Sequence, residues 1–371
     1  MRTLLLAMAA WLYLSAASAA TIVFDPPEDS LHTKPAAVTR APPRRAARGL
    51  TASQLAVVVN TSDPLSVAIG DYYARKRHVP RANVIRVSFD PQRDELPVAE
   101  FVKVRASVEM RVGAQVQAYA LTWARPYRVG CMSITSAFAF GFDARYCASG
   151  CDATASSAYF NAATARPHDD LNMRPTMIVA ALDFPHAKAL IDRGIRSDGS
   201  MPGGTAYLVT TDDRARNVRA AEYAIVRDRH IPALKVNIEP QTSAHDLKDV
   251  LFYFTGATGI ADLATNRFLP GAIGDHLTSF GGMLTGESGQ MSSLHWLDAG
   301  ATGSYGTVTE PCNILAKFPD IPVVIRHYLA GETLVESYWK SVAMPGQGLF
   351  IGEPLAAPFR GRVTQSQDTV Q

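Results

Sequence analysis

The chain alternates between short β-branched runs and longer amphipathic stretches. Residues 55–60 (LAVVVN) form a continuous apolar run, as expected of a strand buried on both faces. Asn60, Thr61, Ser62 and Asp63 then offer cap-like side chains, and Pro64 suits a first helical turn, so a helix is predicted over residues 64–77. Val79-Pro80 stops it, and residues 83–89 (NVIRVSF) read as the next strand. A second helix is predicted over residues 97–112, where Val98, Phe101, Val104, Val108 and Val112 share one stripe. Further strands are predicted at 116–122, 176–182, 205–210, 234–238, 250–254, 268–273 and 348–352. Helices are predicted at 186–196, 214–229, 290–297 and on either side of Gly331.

Strands that alternate with helices argue a parallel α/β sheet with right-handed crossovers. The exception is residues 125–175, which show no clear period and hold three of the four cysteines. Such a long irregular segment in a compact domain is usually functional or covalently stapled. The segment from Asp249 to Cys312 stands out for a different reason. Its strands run into Thr255-Gly256-Ala257-Thr258-Gly259, into Asp275-His276-Leu277-Thr278-Ser279, and into a Gly-rich crossing over 299–308. Ligands in open α/β sheets sit beyond the carboxyl ends of strands, so a site is expected there.

The chain has 371 residues, 47% of them hydrophobic, with 36 basic and 34 acidic residues. A net charge so close to neutral points to no nucleic-acid partner. Residues 1–19 read as a secretory signal: Arg2, an apolar run over 4–14, and Ala17-Ser18-Ala19 before the cut. That run is shorter than the ~20 residues a spanning helix needs, so no stable membrane span is expected after cleavage. Residues 20–50, rich in Pro, Ala and Arg, read as a linker, and the polar residues 360–371 as a loose tail. Export puts Cys131, Cys147, Cys151 and Cys312 in an oxidising compartment, where two disulfides are expected. Four cysteines allow three pairings, and all three stay open.

There is no Walker loop, dinucleotide fingerprint, HExxH or GxSxG, and no cofactor or metal is expected. Asp275, His276 and Ser279 are the sharpest cluster. A His and a Ser at a strand end can form a base and a nucleophile. The other reading is a polar turn capping the next helix. Thr255, Gly256 and Thr258 can offer amides to an oxyanion, or simply form a tight turn. Glu310 suits an acid/base or ion-pair role, or part of a ligand site. Asp212 and Asp213 can hold a cation or cap a helix, and His168 with Asp169 is either a metal pair or a solvated loop.

The runs at 55–80 (LAVVVNTSDPLSVAIGDYYARKRHVP), LTWARPYRV, RPTMIVAALD, LIDRGIRSDG, AIGDHLTSFGG, GSYGTVTEPC, AGETLVESYWKSV and IGEPLAAPF resemble an exported bacterial family of unknown function. That family is associated with the PEP-CTERM/exosortase sorting system. The end of the chain, FRGRVTQSQDTVQ, has no apolar sorting segment with a basic cap. Residues 249–359 are also similar, more distantly, to gingipain-type cysteine peptidases of the caspase-like superfamily. Gly331-Glu-Thr-Leu-Val-Glu336-Ser and Ile351-Gly352-Glu353-Pro354 match that pattern. Phe254-Thr255-Gly256 stands where the catalytic His would be, and the nucleophilic Cys is replaced within 275–282.

The expected fold is therefore a caspase/gingipain-like three-layer α/β sandwich with a mostly parallel sheet. It is divided into two packed halves, 51–174 and 175–359. The resemblance implies an exported protein that binds protein or envelope polysaccharide. The alternatives are a hydrolase using Ser279 and His276, or a structural envelope component.

Overall fold

The LAVVVN run forms strand β1 (Leu55–Asn60), and all six residues are buried. Helix α1 (Pro64–Arg77) follows, with Asp63 accepting from the Leu65 amide at 2.9 Å and Pro64 in the first turn. His78 ends it in the left-handed conformation. This is a computed structural model describing residues 49–229, 231, 234–240 and 244–361. The expected signal segment, the linker up to residue 48, His230 and the tail from residue 362 lie outside the described residues.

The chain continues as β2 (Val84–Val87), α2 (Val98–Glu109) and β3 (Ala118–Leu121). The predicted insertion holds β4 (Arg128–Val129), β5 (Met132–Ser133), α3 (Ile134–Phe140) and α4 (Pro167–Leu171). Then come β6 (Thr176–Ile178), α5 (Phe184–Ser197), β7 (Gly204–Thr210), α6 (Tyr223–Asp228), β8 (Leu234–Pro240), β9 (Val250–Gly256) and β10 (Phe268–Leu277). The chain closes with α7 (Leu294–Asp298), β11 (Gly303–Thr307), α8 (Ile321–Leu329), α9 (Leu334–Trp339) and β12 (Gly348–Gly352).

Ten strands form one sheet in the order β2-β1-β3-β6-β12-β11-β10-β9-β7-β8. Both predicted halves contribute to it, and β12 lies between β6 and β11. Every pairing in this sheet is parallel except β11 with β12. The carboxyl ends of β7, β9, β10 and β11 therefore share one margin, and those of β1, β3, β6 and β12 share the other. Helices cover both faces, giving a three-layer α/β sandwich. Helices α1 and α5 pack together on one face, where α5 also lies on β10 and the Arg193 guanidinium holds the Leu297 and Ala301 carbonyls. On the other face α3 and α9 meet through Phe140 and Trp339, and α8 packs on α6 and α9.

The strand expected over 176–182 ends at Ile178 and the helix expected over 290–297 starts at Leu294, and two further differences bear on the site. Strand β10 runs four residues beyond its expected end, with Gly274, Asp275, His276 and Leu277 paired to Tyr253, Phe254, Thr255 and Gly256. The helix predicted over 214–229 is broken into a 3-10 segment (Asn217–Glu222) and α6. The Arg216 backbone packs on Gly256, where an added Cβ would lie 2.0 Å from the Arg216 carbonyl oxygen. The tighter turn carries Arg219 inward.

Two clasps tie distant parts of the chain together. Glu353, just after β12, is buried and accepts from the Tyr73 hydroxyl at 2.7 Å and from Arg77 Nε at 2.9 Å. Arg77 also pairs with Asp198, which accepts from the Ala357 amide at 3.0 Å. Glu336 forms a capping box with Thr333 at the start of α9, and the same carboxylate accepts from the Leu50 amide at 2.9 Å. Burial pushes the Glu336 carboxyl above the usual range.

Of the three open pairings, the structure forms Cys131–Cys147 and Cys151–Cys312. The first closes a short loop, and the second ties the insertion to the segment after β11. Among the described residues no helix is long and apolar enough to cross a membrane. In a chain-entropy view the longer loop gains more from closure. Its 161-residue separation is worth about 5 kcal/mol and the 16-residue one about 3 kcal/mol. Cys312→Ser is expected to lower urea stability more than Cys147→Ser, and non-reduced peptide mapping should return these two pairs. Equal losses or scrambled peptides would contradict the assignment.

Candidate functional site

Strand β10 carries Asp275 and His276 side by side, and successive strand residues face opposite sides of a sheet. Asp275 turns to the Arg219 side, and its carboxylate meets Arg219 Nη2 at 2.6 Å with both side chains buried. The same nitrogen donates to the Thr255 carbonyl at 3.0 Å, and the guanidinium lies 5.7 Å from the Phe254 ring centroid. His276 turns to the α7 side. Its Nδ1 accepts from the Trp296 indole N–H at 2.9 Å, and its Nε2 lies 3.0 Å from the Met291 carbonyl. Because an indole only donates and a carbonyl only accepts, the ring is neutral with its proton on Nε2. Gly274 makes room for the indole: a Cβ there would lie 2.3 Å from the Trp296 ring.

Burial pushes the His276 imidazole down to about 4. Burial also raises the Asp275 carboxyl, a rise that Arg219 opposes. Three buried atoms at this ion pair have no hydrogen-bond partner: Arg219 Nε and Nη1, and Asp275 Oδ2. The Tyr338 hydroxyl is likewise buried without a partner, and its phenol is held well above its usual range by burial and by Asp275.

Ser279 lies just beyond β10. Its carbonyl accepts from the Thr307 hydroxyl at 2.8 Å, while its own hydroxyl has no hydrogen-bond partner among the described residues. The sequence put Asp275, His276 and Ser279 at one strand end, either as a base and nucleophile or as a polar turn capping the next helix. The structure does not join them. Asp275 and His276 lie within the strand on opposite faces, and both ring nitrogens of His276 are already committed.

The margin itself is closed by side chains. Thr278 donates to Gln290 Oε1 at 2.6 Å, and the Phe280 amide donates to the same oxygen at 2.9 Å. Arg216 donates to Thr278 at 3.2 Å and pairs with Asp213 at 2.7 Å. Thr255 is buried inside β9 with its hydroxyl unpartnered, so it does not face the margin as a turn residue would. Gly256 is sealed by the Arg216 backbone, and the exposed Thr258 accepts from the Met291 amide at 2.7 Å through its carbonyl. Glu310 is exposed and accepts from the Cys312 amide at 2.8 Å. Asp213 caps the turn that carries Arg216, and Asp212 stays exposed. His168 bonds Arg174 at 2.7 Å and Asp169 pairs with Arg166, so these two turn to arginines.

Arg219 and Trp296 escaped the sequence reading. One signal for Arg219 was available. A carboxylate in the middle of an apolar strand needs a countercharge, and the arginines at 214, 216 and 219 were the nearby supply. For Trp296 no such signal existed, since its partner is set by packing.

Removing one member of the buried pair should strand the other. Arg219→Met is expected to cost about 3–5 kcal/mol in urea unfolding, and the double change Arg219→Met with Asp275→Leu to recover most of that loss. A double variant as unstable as the single one would refute the ion-pair account. A second expectation concerns pH. The folded protein excludes from His276 a proton that the unfolded chain takes up below about pH 6.5. Stability should therefore be full above that pH and fall by about 3 kcal/mol as pH drops to 4. His276→Gln should flatten this part of the pH–stability curve, and an unchanged slope would count against it.

Compared with family models, with curated proteins and with solved structures, the chain matches none.

Proposed function

We propose that this chain is an exported binding protein built on a peptidase-like α/β frame and does not work as a hydrolase. One observation carries the reading: His276, the base that the sequence offers for Ser279, spends Nδ1 on Trp296 and Nε2 on Met291. An imidazole with no free lone pair cannot take a proton from a serine hydroxyl. Asp275 cannot orient it either, being paired with Arg219 on the opposite face. The resemblance to an exported family adds the setting, and so do the two disulfides, which persist in oxidising compartments. On this reading the partners are exported proteins or envelope polysaccharide, and the frame presents surfaces while its strand ends stay closed.

The test is covalent labelling of the folded mature protein with a fluorophosphonate and with an iodoacetamide probe. No labelling of Ser279 is expected, and none of the cysteines while both disulfides are intact. Fluorophosphonate adduct on Ser279 that disappears in Ser279→Ala would overturn the proposal in favour of a serine hydrolase.

A further inference from the structure

A groove of about 520 Å³ opens between the last turns of α1, the link that follows it, and edge strand β2. It is lined by Ala74, Val79 and Val84 and by Arg75, Arg81 and Arg86, with a single carboxylate, Asp71. Arg86 pairs with Asp71 at 2.8 Å. Neither Arg75 nor Arg81 has an ion-pair partner among the described residues, and Arg75 lies over the Tyr72 ring at 5.4 Å. The lining thus carries three arginines against one carboxylate, a local charge surplus inside a protein that is nearly neutral overall. Guanidinium forks match carboxylates in bidentate geometry.

The neighbouring strand edge narrows the choice of ligand. An extended peptide would add to β2 through its outward main-chain groups. The Arg86 carbonyl on that edge is already taken by the Arg111 guanidinium at 2.7 Å. The lining also lacks the aromatic platforms on which single-stranded nucleic acid stacks. What remains is a ligand whose own body is weakly apolar and whose edge carries repeated carboxylates.

We propose that this groove is a binding site for an acidic oligosaccharide, with sugar rings over Ala74, Val79 and Val84 and uronate carboxylates on Arg75 and Arg81. The proposal rests on the binding-protein reading above and specifies its ligand class. Asp71 would sit at one end as a brake on affinity, since it is the groove's one like charge to the ligand.

The experiment is calorimetric titration of the folded protein with hexagalacturonate, with maltohexaose as the neutral control. Polyglutamate and vesicles of anionic phospholipid serve as competing polyanions. Hexagalacturonate is expected to bind, and Arg75→Gln with Arg81→Gln to weaken it about tenfold or more at unchanged circular dichroism. Asp71→Asn should tighten binding, and salt should weaken it. No binding, binding unchanged in the double variant, or maltohexaose binding as well would overturn the proposal. Tighter capture of polyglutamate or of the vesicles would overturn it in favour of an acidic peptide or a lipid surface. Labelling of Ser279 would instead sink the binding-protein reading, so the two failures are distinguishable.

Discussion

A carboxylate placed in the interior of a buried strand must find a positive charge, or it costs several kcal/mol. Asp275 is such a carboxylate, and much of the C-terminal part of the sheet is arranged around its answer. Arg219 reaches it only because the chain after β7 breaks into a 3-10 turn before α6. That turn approaches closely enough only because Gly256 has no side chain to block the Arg216 backbone. The same arginine holds the Thr255 carbonyl and lies against Phe254, so a single guanidinium links β9, β10 and the 3-10 turn. The pair still leaves Asp275 Oδ2 and two Arg219 nitrogens without partners. A buried pair with such unpaired atoms is weak evidence for stability, because desolvation offsets much of its attraction.

Across the sheet the next residue obeys a different constraint. His276 is neutral because both nitrogens have partners that dictate their roles, and Trp296 is the dictating donor. The indole can lie there only because Gly274 is a glycine. So the alternation Gly274, Asp275, His276 is one packing solution read on two faces: room for an indole, a charge for one side, and an acceptor for the other. It fills the place where a relay would need freedom of the base.

The seam between β11 and β12 is the other organising choice. Since β12 runs against β11 and along β6, the carboxyl ends of the two groups of strands point to opposite margins. Glu353 then stands at the margin away from Ser279, clasped by Tyr73 and Arg77 from α1. Glu336 caps α9 and holds the Leu50 amide. The runs at 331–337 and 351–354 thus act here as clasps between the start and the end of the described chain.

The alternation of strands and helices was legible in the sequence because periodicity and punctuation are local properties. The run at 55–60, the proline-started helix at 64–77 and the last strand at 348–352 fall where the pattern put them. The candidate site was legible as a list of residues but not as an arrangement. Whether Asp275 and His276 lie inside a strand or beyond its end depends on pairing with β9, a partner that neither residue encodes. The same holds for the cysteines: oxidation could be expected from export, while the choice among three pairings required the insertion to be placed against the segment after β11. The sequence by itself determined composition, period and the supply of charges. Only the tertiary structure decided which charges meet, because burial and facing are set by neighbours far away along the chain.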